Sequence, residues 1–177
     1  MPKDRIGALV GKDGSTKNHL EEICFVNISI NSESGLIHVT SKDDITKVEP
    51  FNAISIITAI SRGFSPQRAF KLMKDDIFLE IIDLRNYTGK SKNALDRIRG
   101  RIIGLHGKSR RLIEELSGGY LSVYGHTVAI IGTAEQIRAE SDAVKLLASG
   151  SIHNTVYKNL QFARTKSKQE RLKLWED

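Results

Sequence analysis

The chain has 177 residues, with 27 Lys and Arg against 21 Asp and Glu and a formal net charge of +6, which is room for one domain or two small ones. A hydrophobic content of 40% suffices for a packed core and is too high for a disordered chain. A single cysteine excludes a disulfide framework and a thiolate-rich zinc site, and neither a membrane span nor a signal-peptide core is visible. The expectation is a soluble cytoplasmic protein.

In chain order, helices are predicted on both sides of Gly11 to Gly14. Strands follow at Val26 to Ile30 and Leu36 to Thr40, around the turn residues Asn31 to Gly35. A helix is expected from about Asp43 to Ser61. Ser65 and Pro66 then open a short linking helix, with proline at its first turn. The aliphatic run Phe78 to Leu84 reads as a strand. Leu95, Ile98 and Ile102 have helical spacing over Lys92 to Arg101, and Leu112, Ile113 and Leu116 have it over Lys108 to Ser117. Gly118-Gly119 ends that helix. Tyr120 to Tyr124 and Thr127 to Ile131 form a hairpin about Gly125-His126. Thr133 caps a helix carrying Ile137, Val144 and Leu147. Ile152, Val156, Leu160 and Ala163 suggest a last helix. A basic stretch from Arg164 follows, which would bind RNA, dock a partner through Trp175, or be a solvated loose end.

The chain contains itself twice. Shifted by 93 residues, Gly7, Gly11 and Gly14 fall on Gly100, Gly104 and Gly107, and Leu20-Glu21-Glu22-Ile23 falls on Ile113-Glu114-Glu115-Leu116. After a small slip, Ile37 to Val39 lies on Val128 to Ile130. Two copies make a duplication and not a solenoid. Each copy reads helix, glycine loop, helix, strand, strand, helix. The second has an opening strand, whereas only Met1 to Lys3 precede the first helix of the first copy, too few for one.

Charge divides the copies. Residues 1–82 carry 10 basic and 11 acidic residues, and residues 83–177 carry 17 and 10. Nine of the basic residues fall between Arg85 and Arg111: Arg85, Lys90, Lys92, Arg97, Arg99, Arg101, Lys108, Arg110 and Arg111. Two glycines three apart between helices let backbone approach a ligand closely. The following helix start then presents N–H groups and partial positive charge, which suits a phosphate. Such a turn clamps a single-stranded sugar-phosphate backbone and leaves the bases along the adjacent apolar groove.

Ile102-Ile103-Gly104-Leu105-His106-Gly107, followed by Ile113 and Glu114-Glu115 in this element order, resembles a type I KH domain. Leu9-Val10-Gly11-Lys12-Asp13-Gly14 resembles a second. The fold class expected is therefore α+β: two β-α-α-β-β-α domains, each a three-stranded sheet with helices on one face, plus a C-terminal helix. The domain boundaries expected are 1–76, 77–150 and 151–177. The tail Gly150-Ser151-Ile152-His153-Asn154-Thr155-Val156-Tyr157 is similar to the closing segment of the archaeal and eukaryotic pre-ribosomal KH proteins, the partner-of-Nob group. That resemblance implies RNA binding near the 3′ end of small-subunit ribosomal RNA, a PIN-type endonuclease as partner and no catalysis in this chain; no metal or cofactor is expected, and the chain is taken as a monomer. It places RNA on Gly104, Leu105, His106 and Gly107, with Arg101, Ile103, Lys108, Arg110 and Arg111 alongside. Gly11, Lys12, Asp13 and Gly14 form a weaker clamp or a protein-docking surface, because Asp13 repels phosphate. A KH adaptor for RNA decay or messenger regulation is the alternative.

Other chemistry fits less well. Gly104 to Ser109 reads Gly-x-x-Gly-Lys-Ser, but a nucleotide-binding P-loop needs four residues between its glycines and a preceding strand. The five histidines lack ligand spacing. Glu21-Glu22 and Glu114-Glu115 are neighbours on a helix and do not face each other, so they read as solvated positions. Cys24 reads as a small core residue. His106 would stack on a nucleotide or stand as a plain exposed residue.

Overall fold

Glycine sets the breaks between the helices. The computed structural model describes residues 1–42, 50–89 and 91–173, and the chain divides into two units, Met1–Asp75 and Asp76–Asp177. In the first, α1 (Lys3–Val10) stops where Gly11 takes φ 75°, and a 3-10 turn, Lys12–Gly14, leads into α2 (Ser15–Ile23). β1 (Val26–Asn31) and β2 (Leu36–Ser41) form an antiparallel hairpin. α3 (Pro50–Ser61) and α4 (Pro66–Ala69) follow, then a 3-10 turn at Phe70–Met73. Residues 43–49, where the third helix was expected to begin, lie outside the described residues, as do Lys90 and Trp175.

The first unit's core is built by one face of each element. Val26 and Ile28 are buried while Asn27 and Ser29 are exposed, the period-two alternation of a half-buried strand. Leu9, Leu20, Cys24, Ile56, Ile60 and Phe64 of the same unit are likewise nearly inaccessible to solvent. Arg5 on α1 donates to the carbonyls of Ile60, at 2.9 Å, in the last turn of α3, and of Phe64, at 2.6 Å, just beyond it. Among the described residues the sheet has two strands.

The second unit adds that strand. β3 (Phe78–Asp83) is followed by α5 (Arg85–Thr88), a single turn that periodicity does not reveal. α6 (Lys92–Ile103), a 3-10 turn at Leu105–Gly107, α7 (Lys108–Ser117), β4 (Tyr120–Tyr124), β5 (Thr127–Gly132) and α8 (Ala134–Ala148) complete a KH-type α+β fold. The sheet is antiparallel with order β3-β5-β4. Its helix-side residues Ile82, Leu121, Val128 and Ile130 pack on Ile98 and Ile102 of α6, Ile113 of α7, and Val144 and Leu147 of α8. Truncating one such side chain to alanine removes about 2–5 kcal/mol. Thr133 and Gln136 form a reciprocal capping box at the start of α8.

α9 (His153–Lys173) closes the unit, with Val156 and Leu160 in the same core. The helix continues through the basic stretch considered as a loose end. Lys166 and Glu170 pair one turn apart at 3.8 Å, and Ser167 Oγ donates to Glu135 Oε2.

The paired glutamates also differ from expectation. Glu21 Oε1 accepts from the amide of Ile28 at 2.6 Å, and Glu114 Oε1 accepts from the amide of Leu121 at 2.9 Å. Both bonds span seven residues at matching places in the two copies. Each ties the second helix to the following strand, so Glu21 and Glu114 are structural bridges and not solvated positions.

Candidate nucleic-acid interface

The two glycine loops have the same backbone. Gly104, His106 and Gly107 have φ of 72°, 50° and 75°; Gly11, Asp13 and Gly14 have 75°, 54° and 79°. All six lie in the left-handed region that L residues avoid. Gly104 requires glycine for a second reason: a Cβ there would lie 2.6 Å from Ser109 Cβ and 2.7 Å from Ser109 N. At Gly107 a Cβ would meet nothing within 4 Å. The turn therefore packs tightly beneath its first glycine and is open at its last.

At the tip of the turn, Leu105 is 80% exposed and His106 is exposed. No side chain caps the start of α7, whose N-cap is Gly107, nor that of α2, whose N-cap is Gly14. The uncapped first turn of each helix presents main-chain donors and the positive end of the helix dipole. Lys108 and Arg111 are exposed beside the second loop, with Arg110 and Ile103 half-buried. Lys12 and Asp13 are exposed at the first.

Several cations of the basic stretch are committed elsewhere. The Arg101 guanidinium donates to the carbonyls of Leu147, at 3.2 Å, and Ser151. It thus holds the end of α8 and does not stand free beside the loop. Arg85 forms a forked pair with Asp83, and Arg99 pairs with Asp96 at 3.3 Å. Lys92, Arg97, Lys108, Arg110 and Arg111 have no ion pair among the described residues, and together they keep the region cationic.

Sequence reasoning missed the brace behind the second loop. His153 Nε2 lies 2.9 Å from the carbonyl oxygen of Arg101, just before the turn. The Tyr157 hydroxyl donates to Ser109 Oγ at 3.1 Å, just after it. Ser109 is buried, directly under Gly104. One face of α9, four residues long, thus grips both ends of the turn. The only hint in the sequence is the i,i+4 spacing of His153 and Tyr157. In the first copy Ala8 stands where Arg101 does and Thr16 where Ser109 does.

The shifted pKa values lie outside the loop. The Arg85 side chain, hydrogen-bonded to Asp83, lowers that carboxyl to about 2. Glu140, at the far end of α7, is raised to about 7 by burial, with Glu114 adding repulsion against the hydrogen bonds from Ser117 and Gly119. Its Oε2 is buried without a partner. No cluster of His, Cys, Asp or Glu among the described residues could hold a metal ion, and no described helix is long and apolar enough to cross a membrane.

A family model for the second KH domain of PNO1, described as a eukaryotic-type KH domain (KH-domain type I), matches residues 78–165. The match runs past α8 through the bracing turns of α9. A KH domain-containing protein of Methanocaldococcus jannaschii is 40% identical over 175 residues, covering 99% of this chain and 77% of that protein. The pre-rRNA-processing protein pno1 of Schizosaccharomyces pombe is 29% identical over 117 residues, 66% of this chain and 48% of the fungal protein. Among solved structures, Dim2p from Pyrococcus horikoshii in a complex with a/eIF2α and rRNA has a TM-score of 0.86 and 44% identity, covering 94% of this chain and 92% of that chain.

Proposed function

The chain belongs to the PNO1/Dim2 family of KH-domain proteins, and from that premise we propose that it is a non-enzymatic, single-stranded RNA-binding factor in small-subunit ribosomal RNA maturation, acting near the RNA 3′ end in the cytoplasm. The observation that carries the reading is the turn at Gly104–Gly107. It offers a left-handed backbone, two exposed tip side chains and an uncapped helix start amid unpaired cations. Main chain and cations together grip phosphates, and the groove beside Ile103 receives the bases. The relatives' names support the process: the fungal relative is named for pre-rRNA processing, and the archaeal one was crystallised with rRNA.

In this reading the first unit is a KH domain with two strands among its described residues, and its loop is a second, weaker clamp. Its backbone is equally suited, but Asp13 is exposed at its tip, and Ala8 and Thr16 stand where the braced Arg101 and Ser109 do. The chain acts as a monomer, with a PIN-type endonuclease supplying the cut. Crosslinking in cells tests the reading, with reads expected on precursor small-subunit RNA. Reads concentrated on messenger RNA would instead assign it to decay or messenger regulation. RNA hydrolysis by the pure protein would overturn the non-enzymatic assignment.

A further inference from the structure

Among the described residues the two copies differ by one strand, and the first copy still carries a surface such a strand would cover. β5 of the second unit is paired on both sides, by β4 and by β3. Its counterpart β2 is paired on one side among the described residues, by β1. The register and the bond from the Lys42 amide to the Phe25 carbonyl fix which groups face outward. Thr40, His38 and Leu36 direct their main-chain groups to β1; Ile37, Val39 and Ser41 direct theirs to the open edge.

The helix above that edge has a matching gap. Aligned on Gly63 and Gly150, α3 and α8 place Ile60 on Leu147, Ile57 on Val144, Ile54 on Ser141 and Phe51 on Arg138. The first two pairs are buried in both units. The last two separate the units. In α8, Ser141 is buried and donates to Glu80 Oε1 of β3 at 3.0 Å, and Arg138 lines the groove along β3. In α3, Ile54 is 50% exposed and Phe51 is 83% exposed. Among the described residues no strand pairs with this edge of β2, and α3 exposes two large apolar side chains at the positions whose α8 counterparts meet β3.

We propose that this shelf accepts an extended segment of a partner protein by strand addition to β2. The segment carries aliphatic residues at alternate positions, as Phe78–Asp83 does in the second unit. Main-chain pairing to Ile37, Val39 and Ser41 supplies affinity, and packing on Phe51 and Ile54 selects apolar side chains. A second copy of the chain fits poorly. Paired β2 strands would lie about 4.8 Å apart, each carrying an α3 helix over the same face, whereas packed helices need about 8–10 Å between axes.

The test uses the full, isotope-labelled chain and, as probe, a peptide copy of residues 77–84 with lysines added at its ends for solubility. Binding is expected to shift the Ile37, Val39 and Ser41 amide signals and slow the exchange of those protons at least tenfold. Val39→Pro should abolish both effects, because it removes an outward N–H while leaving the β1 pairing intact. Should Val39→Pro fail to fold, Phe51→Ser with Ile54→Ser changes only exposed side chains and is expected to weaken the peptide at least fivefold. Unmoved amides at millimolar peptide would overturn the proposal. So would binding indifferent to these substitutions, a β2-dependent dimer in sedimentation, or single-stranded RNA shifting the same amides in place of the peptide.

Discussion

Placing aspartate at both Leu105 and His106 tests the clamp with little disturbance to the fold. Leu105 is 80% exposed, so its loss removes little packing. His106 has φ 50°, a conformation aspartate tolerates. The first copy demonstrates this, since Asp13 holds the matching position at φ 54°. Stability should therefore change by no more than about 0.5 kcal/mol. Two new charges about 5 Å from a bound phosphate, at an effective dielectric of about 40–80, oppose binding by roughly 2–3 kcal/mol. That corresponds to a loss of roughly 30- to 150-fold in affinity. Fluorescence anisotropy with a short single-stranded RNA would measure it, and thermal melting would check the fold. Lys12→Asp in the first copy should cost less, because that loop already carries Asp13. An affinity within threefold of the unaltered chain, or equal losses at both loops, would refute the reasoning.

The two glycines of the turn should respond differently to alanine. Gly107→Ala meets open space and bears only the left-handed strain, about 1–2 kcal/mol. Gly104→Ala adds a collision with Ser109 and is expected to cost about 3 kcal/mol or more, so urea denaturation should separate them clearly. Tyr157→Phe removes the hydroxyl from Ser109. It should speed hydrogen exchange over residues 104–109 and weaken RNA several-fold without altering the slope of log affinity against log salt. A shallower slope would make Tyr157 a phosphate contact and contradict the brace. Glu140 has an ordinary value of 4.5 and is raised to about 7 in the fold. The folded chain then holds this proton more tightly than the unfolded one, so stability declines as pH rises from about 4.5 to about 7, by about 3 kcal/mol in all. Glu140→Gln should remove that decline and be the more stable form at pH 8; a parallel pH profile would show that Glu140 ionises freely.

What could be read from the sequence is what repeats or is local. The 93-residue duplication, the two glycine turns, the hairpins and the capped start of α8 depend on short-range periodicity and turn chemistry. What escaped is set by tertiary reach. In sequence Arg101 belongs to the basic stripe; in the fold its long side chain turns to carbonyls 46 and 50 residues away. Glu21 and Glu114 looked solvated because their partners, the amides of Ile28 and Leu121, come close only once the strand has folded back. The brace by His153 and Tyr157 joins helices about fifty residues apart. α5 spans one turn, too short for periodicity to register.

Amide chemical shifts of the labelled chain, followed as a short single-stranded RNA from the small-subunit 3′ end is added, bear most directly on where the strand is held. The largest changes should fall on Gly104 to Arg111, with smaller ones on Gly11 to Ser15. If those amides stay still at saturating RNA while others move, the ribose–phosphate chain is gripped elsewhere and the glycine turns are only helix punctuation.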